Sequence, residues 1–264
     1  MIRAVAVAGG LVLAAAALAW AGLRVPLRPL RPVDDGPPPT GGGAIPSDWP
    51  EPVRRHYLAS TGPTADPVDT FALWGRARMR IGRLPWLPAT FWSEHQVGRR
   101  ALQRITVTWF GLPVLRGVDS YADGHGEMRI GGRRISGPEI DQGENLFVWA
   151  ELVLLPSALL APGVRWEPVD EHAARLVVPF GTGSDELEFR FDPDTGLLCE
   201  GHAMRYRDVG GPKLGWRVDY RAWHRFGRML LPSELTVTWA DQDRPWFVLT
   251  VDGGTATNEN AAAD

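Results

Sequence analysis

The sequence predicts a mainly β protein of the α+β class, in which a strongly curved antiparallel sheet, or half-barrel, is covered by an apolar helix. Apolar and polar residues alternate with a period of two in six segments, a pattern typical of strands with one solvated face. Turn signals such as residues 192–196 (Asp-Pro-Asp-Thr-Gly) favour antiparallel pairing. Residues 144–155 are apolar around almost the whole helix circumference, which indicates a helix packed against something apolar.

Composition and charge restrict the class of protein. Of 264 residues, 44% are hydrophobic and 22% are charged, which is typical of a globular chain and excludes wholesale disorder or a polytopic membrane protein. The net charge of −3 provides no general basic field for nucleic acid. The single cysteine excludes a disulfide framework and multi-cysteine metal sites. The unusual feature is the 12 tryptophans, which could belong to a core, a membrane interface or a ligand surface.

Residues 1–25 predict a signal-anchor, that is, an N-terminal transmembrane helix. Residues 4–23 carry no charge and lie between Arg3 and Arg24, and a helix of this length reaches about 30 Å, the hydrocarbon thickness of a bilayer. Residues 19–21 (Ala-Trp-Ala) also fit a signal-peptidase site, so cleavage is the alternative. We expect a single-pass protein of the cell membrane with an extracytoplasmic domain, although arginines on both sides of the segment specify its orientation poorly.

Two further segments are predicted to lie outside the folded domain. Residues 26–46 are rich in Pro, Gly and Arg, a composition typical of a semi-extended linker. Residues 255–264 are small and polar, which predicts a disordered tail. The β-rich domain is therefore expected over residues 47–254.

The alternating segments predict the strands of this domain. In the first segment, Arg76, Arg78 and Arg80 occupy the even positions, which favours a solvated sheet face over a surface for docking a partner. The Pro-rich stretch at residues 84–92 predicts a loop or a sheet edge. The segments cover residues 71–81, 105–109, 186–191, 216–221, 235–239 and 247–251. The inward rows are expected to present Trp74, Trp109, Phe189, Phe191, Trp239 and Phe247.

Two helices interrupt the strands. The first is predicted at residues 51–59, because Pro52 falls in its first turn. The second is the apolar segment at residues 144–155, which is too short to span a bilayer and is followed by an apolar loop or short helix at residues 156–162. A curved sheet covered in this way either encloses an apolar cavity or packs as a dry core. Both alternatives stay open at this point.

A series of short motifs runs through residues 48–252. The motifs are residues 52–57, 117–121 with Gly124 and Gly126, 151–156, 159–160, 166–170, Arg205, and 231–233 ahead of 237–239. In this order they resemble an uncharacterised bacterial family of membrane-anchored or secreted proteins of unknown function, similar in fold to LolA/LppX-like lipoprotein-localisation proteins. That resemblance implies a half-barrel holding acyl chains under a helical lid, and therefore a lipid or a lipidated partner as the ligand.

Nine residues are predicted to line this cavity or its lid. They are Trp74, Trp109, Trp149, Glu151, Leu155, Trp166, Phe189, Arg205 and Trp239. Glu151 is the most specific candidate. Burying an unpaired carboxylate inside an apolar helix would cost several kcal/mol, or the group would stay protonated. Either it forms a buried ion pair with Arg205, or it anchors a lipid headgroup or a peptide amide at the cavity mouth.

Enzyme chemistry finds little support in the sequence. Asp123, His125 and Glu127 alternate and could bind a divalent metal, but the two glycines between them equally predict a turn. The chain contains no Gly-x-Ser-x-Gly elbow and no phosphate-binding loop, and Cys199 is expected to be an inert buried thiol. We therefore expect a non-catalytic, lipid-binding envelope protein without metal or cofactor. The alternatives are an interaction module with a dry core that docks an envelope protein and, less favoured, an undetected hydrolase.

Overall fold

The computed structural model describes residues 2–30, 39–82, 84–226 and 229–258, with the side chains of residues 2–12 left out. Within these ranges the chain forms three α-helices, one 3-10 helix and fifteen strands. The helices are α1 (Ile2–Arg24), α2 (Glu51–Ser60), α3 (Pro138–Leu152) and the 3-10 helix (Pro156–Leu160). The strands before α3 are β1 (Gly43–Ala44), β2 (Thr64–Ala65), β3 (Thr70–Met79), β4 (Leu87–Gln96), β5 (Arg100–Trp109), β6 (Leu112–Ala122), β7 (His125–Ile130) and β8 (Arg133–Ser136). The strands after it are β9 (Arg165–Asp170), β10 (Ala173–Phe180), β11 (Gly183–Phe191), β12 (Leu198–Tyr206), β13 (Lys213–Phe226), β14 (Met229–Trp239) and β15 (Phe247–Thr257).

Thirteen of these strands form one antiparallel sheet, as the alternation predicted. Their order is β8-β7-β6-β5-β4-β3-β15-β14-β13-β12-β11-β10-β9, so two meanders join where the first long strand pairs with the last. The chain passes from one edge strand, β8, to the other, β9, by way of α3. Helix α3 contacts β6, β7 and β8 on one side and β10, β11 and β12 on the other. It therefore bridges the two limbs of a sheet that is not closed.

The turns of the sheet collect at two ends. Ala77 pairs with Ala89, Ala89 with Val107 and Val107 with Leu115, so the loops that follow these pairs meet at one end. We call this the rim end; it contains residues 80–86, 110–111, 131–132, 207–212 and 240–246. The opposite end, called the far end, contains residues 97–99, 123–124 and 192–197. The two ends differ in their exposed side chains, as described below.

Both predicted helices of the domain exist, with changed bounds for the second. Helix α2 begins at Glu51 with Pro52 in its first turn and ends one residue beyond the prediction. Helix α3 begins six residues before the predicted start at residue 144, directly after Gly137, which has a φ of 146°. The first turns of α3 carry buried polar side chains such as Gln142. A prediction based on apolar residues therefore does not include these turns. A stretch predicted as a loop or edge at residues 84–92 instead enters β4, an interior strand.

The described parts of the segments that were predicted to flank the domain contact it. Strand β15 continues through Thr255, which pairs with Ala72, so it enters the segment predicted as a tail. The rest of that segment, residues 259–264, and linker residues 31–38 lie outside the described residues. The backbone amide of Leu30, at the start of the linker, donates to Asp252 Oδ2 at 3.0 Å.

Helix α1 occupies the segment that was predicted to span a membrane. A search of the described residues finds no helix whose length and apolar character are sufficient to cross a bilayer, so the predicted transmembrane helix is not shown. The end of α1 rests on the turn between β5 and β6. Trp109 Nε1 donates to the carbonyl of Ala19 at 3.1 Å, and the backbone amide of Phe110 donates to the carbonyl of Gly22 at 2.9 Å.

The concave side of the sheet is filled in one part. On β10 and β11, Leu176, Leu187 and Phe189 are 0–1% exposed, and α2 covers them with Val53 and Tyr57, both 0% exposed. We call this part, with α2 and the 3-10 helix, the packed region. Its side chains interlock as in an ordinary protein core.

Candidate functional site

A cavity of about 800 Å³ lies between the rest of the concave face and helix α3. We call its surroundings, formed by β3, β5–β7 and β13–β15 under α3, the cavity region. The volume falls within the roughly 300–1,000 Å³ that is typical of small-molecule sites. Its wall is largely aliphatic and aromatic. The lining includes Met79, Ile105, Val107, Leu115, Met128, Phe147, Leu154, Val218, Leu235, Val237 and Leu249.

Small residues keep this space open. Gly117 lines the cavity from β6, and a Cβ built there would meet only one atom, Arg129 O at 4.0 Å. A Cβ at Gly201 on β12, in contrast, would approach Phe189 Cε1 to 2.7 Å. Gly117 therefore borders unfilled space, whereas Gly201 is packed tightly against an aromatic ring.

A polar row crosses the inner wall of the cavity region. Ser93, Gln103 and Asp119 are direct cross-strand neighbours on β4, β5 and β6. Burial raises the pKa of Asp119 to about 6, although the charge of Arg205 acts in the opposite direction. The carboxyl group of Asp119 therefore gains protons at a higher pH than an exposed aspartate does.

Glu144 on α3 faces this row. Burial, and then the charge of Asp119, raise the pKa of Glu144 to about 8, while Arg205 lowers it. Near pH 7 this side chain is therefore mostly protonated and can donate a hydrogen bond. The sequence patterns identify neither acid, and around Asp119 apolar and polar residues do not alternate.

Arg205 is held from three sides. Its Nη2 lies 3.4 Å from Glu144 Oε1, and its guanidinium carbon lies 4.8 Å from the ring centre of Trp216 and 5.8 Å from that of Trp239. The aromatic faces stabilise the cation by cation–π attraction. The Nε atom is buried and has no hydrogen-bond partner among the described residues, so one donor of this cavity-lining side chain is free.

Glu151 does not pair with Arg205, so that predicted ion pair is wrong. Glu151 Oε2 accepts a hydrogen bond from Ser93 Oγ at 2.5 Å and lies 2.6 Å from His95 Nε2. Ser93 and His95 are two positions apart on β4 and therefore share one face. Because the sequence predicts a loop or an edge at residues 84–92, it does not indicate that these partners lie next to α3.

The Ser93–His95–Glu151 cluster differs from a nucleophilic triad. In such a triad the imidazole lies between the serine and the carboxylate. Here both side chains approach the same carboxylate oxygen, and Ser93 Oγ lies 3.4 Å from His95 Nε2. Ser93 is also 0% exposed. The arrangement satisfies a buried carboxylate and joins α3 to β4.

Three of the nine predicted site residues line the cavity, namely Glu151, Arg205 and Trp239. Four others belong to the core around it. Leu155 and Phe189 are buried in that core, and Trp166 packs edge-on against Phe189 with ring centres 5.9 Å apart. Trp149 is partly buried against the same core. A ligand-binding role for these residues remains a prediction.

The remaining two, Trp74 and Trp109, do not line the cavity. Trp74 has the opposite parity to Met79, which faces the cavity, and it stacks on Trp92 with ring centres 5.1 Å apart. Opposite Val107 and Thr108 the register shifts, because Val114 is an extra residue on β6. Beyond this point Trp109, the last residue of β5, contacts α1.

The proposed metal trio is dispersed. His125 is 82% exposed and lies 3.5 Å from Asp141, while Glu127 pairs with Arg129. Within the described part of the chain, no group of three His, Cys, Asp or Glu residues is arranged to hold a metal ion. Burial raises the pKa of the half-buried Cys199 thiol, which favours its unreactive protonated form.

Solved structures with a similar fold come from three bacteria. A LolA superfamily protein from Nitrosomonas europaea is 9% identical, with a TM-score of 0.46, covering 78% of this chain and 92% of that one. A DUF1329 family protein from Desulfovibrio piger is 11% identical, with a TM-score of 0.42, covering 74% and 88%. A putative outer membrane lipoprotein-sorting protein domain from Vibrio parahaemolyticus is 9% identical, with a TM-score of 0.41, covering 73% and 88%.

The sequence comparisons place the chain in one family. No curated protein matches it. Residues 44–249, which make up most of the chain, match a family described as a family of unknown function, DUF6544. This match confirms the resemblance carried by the scattered motifs, and the chain belongs to the DUF6544 family.

Proposed function

We propose that this protein binds a lipid, or the acyl chain of a lipidated partner, in the cavity beneath α3 and does no chemistry on it. The observation that carries the proposal is the cavity itself, about 800 Å³ of mostly apolar space. Each buried methylene contributes about 0.8 kcal/mol, so eight of them supply about 6 kcal/mol before the cost of ordering the ligand. A cavity of this size argues against the alternative of a uniformly dry core.

Arg205 and Glu144 are the proposed partners of the ligand's polar end. Arg205 has a free buried Nε donor, and protonated Glu144 offers a second donor beside it. Together they suit an oxygen-rich group such as an ester, a carboxylate or a phosphate. Glu151, for which the sequence left an anchoring role open as one alternative, is already engaged by Ser93 and His95 and is better regarded as a structural group.

Entry through the rim end fits the contacts better than opening of α3 as a lid. Gln142 Nε2 donates to Asp185 Oδ1 and to the carbonyl of Met204, and Asn145 Nδ2 donates to the carbonyl of Pro179. Lifting α3 would break these bonds together. The cavity lining, in contrast, already includes exposed rim residues such as Ile81 and Asp208.

The cell envelope is the proposed location. Its support is the uncharged sequence of residues 4–23, which suits export or attachment. Fractionation of cells that produce the full chain, with a C-terminal reporter active only outside the cytoplasm, tests this location separately from ligand binding.

Native mass spectrometry of the full chain, purified gently and then incubated with phosphatidylethanolamine vesicles, tests lipid binding. We expect a bound lipid mass in the wild type and its loss in Gly117→Phe, because the new ring fills the cavity. Gly43→Phe is the matched control, since a Cβ at Gly43 meets no atom within 4 Å and Gly43 does not line the cavity. Absence of lipid from the wild type, or equal loading of both folded variants, would contradict the proposal.

A further inference from the structure

Exposed apolar side chains concentrate at the rim end. Leu112 is 68% exposed, Val114 58% and Leu84 54%. They share this end with Ile81, Trp109, Phe110, Ile130 and Val209. A group of exposed apolar residues this large marks an interaction surface.

The end of helix α1 adds to the same surface. Its two hydrogen bonds to Trp109 and Phe110 hold it against the β5–β6 turn. The described part of α1 also exposes Leu13, Leu18 and Trp20, which are 73%, 56% and 50% exposed. The apolar surface therefore continues from the sheet onto the helix.

Arginines without acidic partners border this surface. Arg78, Arg80, Arg116 and Arg133 form no ion pair with any carboxylate in the described ranges. Arg78 and Arg80 instead lie over the ring of Trp86, with guanidinium carbons 5.5 and 4.3 Å from its centre. Arginine, tryptophan and protruding aliphatic residues together are typical of proteins that enter the headgroup layer of a membrane.

We propose that the rim end docks on the surface of a lipid bilayer with anionic headgroups, the apolar turns entering the interface and the arginines contacting phosphates. The cavity lining reaches this end through Ile81 and Arg80, so docking would place the cavity mouth against lipid. That last consequence rests on the proposed function, whereas the docking itself does not. A protein partner would suit the apolar turns, but it would not by itself account for four unpaired arginines around them.

An environment-sensitive dye tests the docking directly. It is attached at Leu112→Cys in the full chain, in a Cys199→Ser background, and vesicles of phosphatidylethanolamine and phosphatidylglycerol are added. Leu58→Cys is the matched control, because Leu58 is 52% exposed but lies on α2, near the far end. We expect a blue shift and protection from iodide quenching at position 112 only.

A second measurement concerns the strength of binding. The double variant Leu112→Asp/Val114→Asp should bind these vesicles at least about tenfold more weakly than wild type, and Leu58→Asp should not. Raised salt should weaken wild-type binding, because it screens the arginines. No dye shift at position 112, or equal shifts at 112 and 58, would overturn the docking. A dye shift without lipid in the native mass spectrum would instead leave docking in place and contradict the proposed cavity ligand.

Discussion

The packed region and the cavity region are built from the same alternating strands, yet one is filled and the other is hollow. On β11 the inward positions are Leu187 and Phe189, both at most 1% exposed, and α2 closes over them. On β6 the corresponding inward positions are Gly117 and Asp119. The comparison teaches that alternation specifies which face is inward, while the size and polarity of the inward residues decide whether that face encloses a space.

The largest expected effect on stability comes from replacing one phenylalanine by alanine in each of the two regions. Phe189→Ala should lower the free energy of unfolding by about 3–5 kcal/mol, because the surrounding side chains leave a buried void. Phe147→Ala, at the cavity wall, should cost only about 1 kcal/mol, since its ring already borders open space. Urea denaturation of both variants measures the difference. Equal losses would mean that the cavity region is as tightly packed as its neighbour.

The cavity region should also respond to pH through Glu144, whose pKa is raised from an ordinary 4.5 to about 8. A raised pKa means that the folded state favours the proton, so this stabilisation is complete below pH 4.5 and is lost as pH rises through 8. Asp119, raised from 3.8 to about 6, acts with the same sign at lower pH. At about 1.4 kcal/mol per pKa unit, the Glu144 effect amounts to a few kcal/mol.

Glu144→Gln keeps the shape of the side chain and removes its titration. The difference in unfolding free energy between pH 5 and pH 8.5 should therefore shrink by a few kcal/mol in this variant. Glu188→Gln is the control, because Glu188 lies on the outer face of β11 next to Phe189. Parallel pH dependence in the wild type and Glu144→Gln would show that this carboxyl group is not held in its neutral form.

The sequence allowed six of the strands (β3, β5, β11, β13, β14 and β15), α2 and the apolar part of α3 to be predicted, because alternation and helical periodicity are local properties. The same local patterns indicated Glu151 and Trp239 as cavity residues, whereas Arg205 was indicated by the family resemblance. They did not identify the partners of Glu151, because Ser93 and His95 reach α3 only through the order of strands in the sheet.

Two other features also depend on tertiary context. Trp109 ends β5 beside a register shift in β6 and contacts α1, and no residue pattern in that segment indicates this contact. The position of the cavity could not be predicted from residue types either. Gly117 and Gly201 are both glycines within strands, and only their neighbours in the folded structure distinguish them.

These two glycines provide the smallest and most direct test of the comparison. A methyl group at Gly201 would press on the ring of Phe189 at 2.7 Å, and overpacking of this kind costs about 1–3 kcal/mol. A methyl group at Gly117 meets nothing closer than 4.0 Å, and replacing a strand glycine by alanine reduces the entropy lost on folding. Gly201→Ala should therefore be destabilised while Gly117→Ala is neutral or slightly more stable, as measured by thermal unfolding. A loss of stability in Gly117→Ala equal to that in Gly201→Ala would mean that the space beneath α3 closes in solution, and the contrast between a filled and a hollow region would then fail.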